Sequence, residues 1–318
     1  MDIVACTDNG FVMPTGIMMI SVCVNNQDEE IVFHIVTDKV SAKNKKKMED
    51  TVSEYPGKAI VFYDAEKIDI SDIPTMEKGS RLSIATYYRL FLTEILPSTI
   101  KKIIYIDGDM IVRRSLMPLW NLDMQGKAIA AASDTDFFCE EYFKRLDYPK
   151  DMGYFNAGIL LINLDYWREH RLLSVFKDFM VHHADRIVHH DQDVLNYTLR
   201  NSKKELPIKY NLQSGFLSTE KSFGPYYRTE IKAAIADPAV LHYTGGSKPW
   251  HRSCRHPYRS SFLKYKALSP WKDEPLIEDR PMSIRIKKAF GMILRKCRLI
   301  PELPPYGKGC LPGLKPID

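Results

Sequence analysis

The stretch "DIVACTDNGFVMPTGIMMISVCVNNQDEEIVFHIVT", residues 2–37, divides into three pieces of different pattern. "DIVAC" (Asp2–Cys6) and "IVFHIVT" (Ile31–Thr37) are short, nearly continuous apolar runs rich in β-branched residues, the pattern of buried strands. Between them "PTGIMMISVCVNN" is long and apolar enough for one helix packed on a sheet. Strand, helix and strand in that order predict a parallel pair with a crossover helix.

The alternation continues outward. "AIVFY" (Ala59–Tyr63) and "KIIYID" (Lys102–Asp107) read as further strands, and "SAKNKKKMEDTVSEY" as a polar helix with few apolar positions. The first hundred residues therefore predict an α/β, doubly wound sheet, in which ligands bind outside the carboxyl ends of the strands. Asn9 and the pair Asp107–Asp109 both fall at such ends. Farther on, "SRLSIATYYRLFLTEILP" predicts a helix stopped by Pro97, and "YFNAGILLINL" (Tyr154–Leu164) a buried strand entered through Asn156. "HHDQDVLNYTLR" predicts a helix beginning near Asp191, whose carboxylate suits an N-cap. "VLHYTGGSKPWH" predicts a strand feeding a glycine-containing loop.

The composition excludes several classes. Of 318 residues 45% are hydrophobic and 27% charged, so the chain can bury a real core and is not a disordered or fibrous sequence. The net charge of +5 is mild, and the lysine run Lys45–Lys47 has no aromatic interleaving, which argues against nucleic-acid binding. Six cysteines lie far apart with no C-x-x-C pair, the usage of reduced thiols. No basic, apolar leader and no run of membrane-span length is visible, so the expected location is cytoplasmic. The histidine pairs His182–His183 and His189–His190 lie on a charged helical stretch and read as solvated or capping residues.

Residues 1–268 are expected to form one catalytic domain and residues 269–318 a separate, proline-rich basic segment. Within the latter, residues 283–300, "SIRIKKAFGMILRKCRLI", carry six basic residues and no acid, with Ile286, Phe290, Ile293, Cys297 and Ile300 at helical spacing. Such a helix suits either an anionic membrane surface or packing on the domain.

"YIDGDMIV" (Tyr105–Val112) places two carboxylates one residue apart at a strand end. Two acids that close repel each other unless a cation is shared between them, and hard oxygen ligands suit a divalent ion that also grips phosphates. The same D-x-D after an apolar strand serves phosphatases that form an aspartyl-phosphate, or it is a solvated turn. Taken alone, the motif leaves all three open.

"DIVACTDN", "TYYRLFLTEILP", "KIIYIDGDMIV", "YFNAGILLINLDYWR", "DQDVLN" and "LHYTGGSKPWH" together resemble, in order and spacing from Asp2 to about His256, the family-8 retaining glycosyltransferases. The bacterial galactosyl- and glucosyltransferases of lipopolysaccharide synthesis are the nearest in pattern. The resemblance implies a single Rossmann-like domain of GT-A type with a mixed, mostly parallel sheet. It implies Asp107, Asp109 and His242 as ligands of Mn²⁺, with Mg²⁺ the alternative. It implies a UDP-glucose or UDP-galactose donor held by Ala5, Thr7, Asn9, Arg89, Gly108, Asp134, Asn156, Asp191, Gln192, Gly245 and Lys248. Asp191 and Gln192 would stand at the catalytic centre, with Gln192 opposite the leaving group. Relatives often carry an aspartate where this chain has Thr7 and an aromatic where it has Gly10. A lipid-linked saccharide acceptor would place the protein on the cytosolic face of the inner membrane. A metal-dependent phosphatase and a non-catalytic nucleotide-sugar binder are the rival functions.

Overall fold

The computed structural model describes residues 1–69, 84–136, 139–217 and 225–279. Strands β1 (Asp2–Asp8), β2 (Ile31–Asp38) and β3 (Lys58–Asp64) pair in parallel, β1 meeting β2 residue for residue from Asp2↔Val32 to Asp8↔Asp38. Helices α1 (Val12–Asn25) and α2 (Ala42–Ser53) are the crossovers. On the other side of β1 lies β4 (Lys102–Ile106), also parallel. After the short β5 (Met110–Val112), the large sheet is completed by β6 (Ile129–Ser133), β7 (Phe155–Asn163) and β8 (Lys203–Leu206). Its order is β3-β2-β1-β4-β7-β6-β8, with β7 antiparallel to both β4 and β6. This is the mixed, mostly parallel sheet that the resemblance to GT-A-type domains implies. A second sheet of three strands joins β5 to β10 (Val240–His242) and then to β9 (Leu212–Gln213).

The continuous apolar runs are explained by burial on both faces. Val4 and Tyr105 point into one cluster with Leu160 and Trp167, while Ile3, Phe33 and Ile104 point into another with Met18 and Val22. Helix α1 is buried nearly all round because it is wedged between the two sheets. Its Met18 and Met19 face the large sheet, and its Ile17 and Ile20 meet Ile111 and Leu241 of the small one. Helix α2 is polar as expected, burying only Met48, Thr51 and Val52, and Ser41 Oγ accepts from Asn44 N at its start.

Two local expectations change. The helix expected before Pro97 is a 3₁₀ turn over Ile84–Phe91 followed by a short α-helix, Leu92–Ile95; residues 80–83 lie outside the described residues. In a 3₁₀ helix side chains at i and i+3 eclipse, which puts Thr86 and Arg89 on one line toward the ligand-binding end of the sheet. Asp191 is not the N-cap of its helix, which spans His190–Leu199. The backbone N–H groups of Val188 and His189 donate instead to Asp193 Oδ2, at 2.8 and 2.6 Å.

Past residue 268 the chain stays on the domain as far as it is described. Trp271 is 2% exposed and lies against Gly16, where an added Cβ would come within 2.4 Å of the indole. Lys266 Nζ donates to the carbonyls of Trp271, Lys272 and Glu274 and holds that turn. The basic segment 283–300 lies outside the described residues. Among those described, no helix is long and apolar enough to cross a membrane, and Cys6, Cys23, Cys139 and Cys254 are free thiols.

Candidate active site

The carboxyl ends of β1, β4 and β10 and the head of the helix His190–Leu199 surround one cleft of about 830 Å³. That volume suits a ligand larger than a monosaccharide. Thr7, Arg89, Asp107, Gly108, Asp109, Asn156, Asp191, Gln192, His242, Gly245 and Lys248 all line it, although the sequence scatters them across more than two hundred positions.

The sharp turn of the D-x-D sequence rests on α1. A Cβ on Gly108 would lie 2.4 Å from Thr15 Oγ1 and 3.1 Å from the Phe11 ring, so only glycine allows that approach. Leaving β4, Asp107 turns its Oδ1 to Arg89 Nη2 at 2.8 Å and to the Tyr105 hydroxyl at 2.9 Å, both donating. Arg89, 5% exposed, also donates to the Ala157 carbonyl at 2.6 Å, and its Nε faces Asp191 Oδ2 at 2.9 Å. Burial acts to lower the Arg89 pKa, but Asp107 and Asp191 outweigh it and keep the guanidinium charged. For Asp191, burial raises the carboxyl pKa against the pull of Arg89 and of Thr86, whose hydroxyl donates to it at 2.5 Å.

Asp109 meets the opposite wall. Its Oδ2 pairs with Lys248 Nζ at 2.6 Å, and its Oδ1 lies 3.3 Å from His242 Nε2. Burial works to raise this carboxyl, yet Lys248 and His242 prevail and hold it well below the usual carboxylate range. Ligand atoms from Asp107, Asp109 and His242 all lie within 4.8 Å of one another, and among the described residues no other such group of acids, histidines and cysteines occurs. His242 Nδ1 contacts Asn211 Oδ1 at 2.9 Å, a carbonyl that can only accept, so Nδ1 carries a proton there and Nε2 is the nitrogen turned to Asp109, able to ligate a cation once it carries no proton. Two hard carboxylates and one imidazole converging in this way fit a divalent cation.

The residues expected on the sugar side form a third group, built of amides. Asn156 Nδ2 donates to Asp134 Oδ2 at 2.9 Å and to Gln192 Oε1 at 3.1 Å. Gln192 Oε1 also accepts from Ala157 N, and its Nε2 donates to Asp134 Oδ2 at 3.2 Å. Asp134 thus reaches the cleft through its partners.

Two expected base-binding residues point elsewhere. Ala5 is fully buried in the apolar core under the sheet. Asn9 is exposed and its Oδ1 accepts from Ser41 N and Asn44 Nδ2, fastening the start of α2 and leaving the cleft to its neighbours. Thr7 is buried, and its hydroxyl donates to the Asp8 carbonyl while accepting from Thr15. Asp8, Phe11, Thr86 and Tyr105 line the cleft although sequence reasoning does not mark them. Only Asp8 and Phe11 carry a signal, since they stand at the end of β1 and in the loop leaving it. Trp250 packs edge-on against Phe11 with ring centroids 5.3 Å apart, and so anchors its loop. His189 and His190 line the cleft as well, the latter with φ +52, so the second pair is not simply solvated.

Comparison with known proteins places this cleft in a wider group. Residues 2–254 match the family described as Glycosyl transferase family 8. General stress protein A of Bacillus subtilis is 29% identical over 276 residues, covering 85% of this chain and 94% of its own. Lipopolysaccharide 1,3-galactosyltransferase of Salmonella typhimurium is 27% identical, covering 83% and 77% respectively. Among solved structures, the galactosyltransferase LgtC in complex with donor and acceptor sugar analogues superposes with a TM-score of 0.72 at 28% identity, over 90% of this chain and 100% of LgtC.

Proposed function

The chain belongs to glycosyltransferase family 8, and on that premise we propose that it moves glucose or galactose from UDP to a cell-surface glycan, with retention at the anomeric carbon. The observation that carries the reading is the group Asp107, Asp109 and His242 facing Lys248 across the floor of the cleft. Mn²⁺ held by those three residues would neutralise charge on a departing diphosphate. Lipopolysaccharide-type acceptors are supported by the galactosyltransferase relative and by the sugar analogues bound to LgtC.

The chain's own groups divide the work. Lys248 supplies a movable positive charge beside the phosphates, and Gly245, at φ +80 with open space around it, lets backbone approach them. Arg89 fixes Asp107 from behind and neutralises Asp191. A double displacement needs a free carboxylate beneath the sugar. Asp191 is tied to Thr86 and Arg89, and Gln192 is a neutral amide held by Asn156 and Ala157. Neither is poised as a nucleophile, which favours attack by the acceptor hydroxyl on the face that UDP leaves. Gln192 then stabilises the positive charge that develops on the sugar.

A panel of UDP-sugars tested with Mn²⁺ decides among the functions. Glycosyl transfer predicts release of UDP without inorganic phosphate; phosphate release from sugar phosphates would instead identify a phosphatase. Tight binding of UDP-sugars with no turnover at all would identify a binder.

The acceptor in this reading is lipid-linked and met at the cytosolic membrane face, where the six basic residues within 283–300 would meet anionic lipid. Removing residues 280–318, which leaves the Trp271 turn in place, should free the protein from anionic phospholipid vesicles while sparing UDP-sugar turnover. Unchanged sedimentation with the vesicles would refute that attachment.

A further inference from the structure

Asn211 is fully buried in the loop leading into β9, outside the residues assigned above to donor or metal. Both ends of its amide are engaged. Its Nδ2 donates to Asn156 Oδ1 at 2.9 Å, and its Oδ1 faces His242 Nδ1 at 2.9 Å. The direction of every bond in this chain follows from one group that can only donate. The backbone N–H of Gly158 donates to Asn156 at 3.0 Å, so the atom it meets is the amide oxygen. Asn156 therefore turns its NH₂ toward Asp134 and Gln192, where a carboxylate and an amide oxygen accept it. With the oxygen of Asn156 facing Asn211, Asn211 must present its NH₂ there and its own oxygen to His242. The imidazole must then carry its Nδ1 proton whatever its charge, so Nε2, aimed at the D-x-D carboxylates, is the nitrogen whose lone pair a cation can take.

Gly158 makes a second contribution. A Cβ at that position would lie 2.3 Å from His242 Cε1 and 2.7 Å from Nδ1, so the ring is seated directly on the β7 backbone. The Gly158 carbonyl meanwhile accepts from Asp107 N at 2.8 Å. One residue of β7 thus fixes the amide chain, the ring and the first aspartate together.

We propose that Asn211 is a positioning residue that presets the His242 tautomer for metal binding and joins that imidazole, through Asn156, to the Gln192–Asp134 cluster on the sugar side. The proposal rests on the metal reading given above, and deepens it. It assigns to a buried asparagine the outer hydrogen bond by which a ligating imidazole is oriented, an interaction whose loss weakens metal affinity by about 10–100-fold.

Three measurements on the full chain test it. In Asn211→Leu, Mn²⁺ affinity followed by electron paramagnetic resonance without substrate should fall by about 10–100-fold. In Asn211→Asp the acceptor for His242 is kept and the donor to Asn156 is lost. Mn²⁺ affinity should then stay within about threefold of the parent, while KM for UDP-sugar rises as the amide chain is disturbed. Nitrogen-15 shifts of His242, read where the ring is neutral, should report the Nδ1–H tautomer in the parent and in Asn211→Asp, but a mixture in Asn211→Leu. The proposal is overturned if the parent lacks that tautomer, or if Asn211→Leu folds and keeps both tautomer and affinity. Equal loss of Mn²⁺ binding in both variants, in step with lost stability, also overturns it. A parent that binds no Mn²⁺ would sink the metal reading itself, an outcome told apart from failure of the proposal by His242 still showing the Nδ1–H tautomer.

Discussion

The two walls of the cleft solve the same problem with different chemistry. On one, Asp107 and Asp109 are held by full charges, Arg89 and Lys248, at 2.8 and 2.6 Å. On the other, Asp134 is held by the neutral amides of Asn156 and Gln192 at 2.9 and 3.2 Å. Charged partners suit the wall that, in the proposed function, a diphosphate and its cation reach and leave, because Coulomb attraction survives small displacements. Amides suit the wall that, in the proposed function, presents sugar hydroxyls with donors and acceptors in fixed places, since hydrogen bonds weaken steeply with angle. Asn211 joins the two.

The comparison breaks first at the charged wall. Asp109→Asn should lower UDP-sugar turnover by about a thousandfold, because in the proposed function the missing charge acts where the transition state is most negative. A loss below about tenfold would mean that Asp109 is not at the chemistry.

Next in size is a contrast within one helix. Asp193, fully buried, pairs with Arg145 and accepts from Tyr154 and two backbone N–H groups. Asp193→Ala should cost about 3–5 kcal/mol in urea unfolding, because it leaves Arg145 without its partner. Asp191→Asn should cost turnover more than stability. If both variants lose stability alike, the division between a cleft-facing and a core-facing aspartate is wrong.

The amide wall should be more forgiving. Gln192→Ala is expected to reduce transfer by about 10²-fold and leave it measurable. Complete loss together with a trapped sugar–enzyme adduct would favour a covalent route.

The smallest effect lies outside the cleft. Burial lowers the His256 pKa from 6.5 to about 4, and its Nε2 has no hydrogen-bond partner among the described residues. A base that is harder to protonate when folded lends stability that is whole above about pH 6.5 and shrinks as pH falls toward 4. The drop in melting temperature between about pH 7 and about pH 4.5 should be smaller in His256→Phe than in the parent. An identical drop would show that His256 does not titrate with unfolding.

Much of the fold and of the cleft is legible in the amino-acid sequence, and the exceptions have physical causes. β1 to β4 are legible because buried strands leave continuous apolar runs bounded by polar residues, and local order is all that such a signal needs. The small sheet is not fully legible, since β5, β9 and β10 hold only two or three residues each and take their pairing from distant parts of the chain. Asp191 and Asp193 look alike in sequence, and only packing decides that one meets Arg89 and the other caps the backbone. Asn9 resembles a ligand residue by position, yet the nearby start of α2 offers two donors to its oxygen. Asn211 gives no signal, because an isolated asparagine near a short strand reads as a turn former.

The central claim is that Asp107, Asp109 and His242 hold a cation that a nucleotide diphosphate shares. Mn²⁺ titration with and without UDP, followed by water-proton relaxation on the parent and on Asp109→Asn, tests it most directly. The account predicts one Mn²⁺ site, tightened by UDP and lost in the variant. Mn²⁺ binding that is unchanged in Asp109→Asn, or indifferent to UDP, would contradict it.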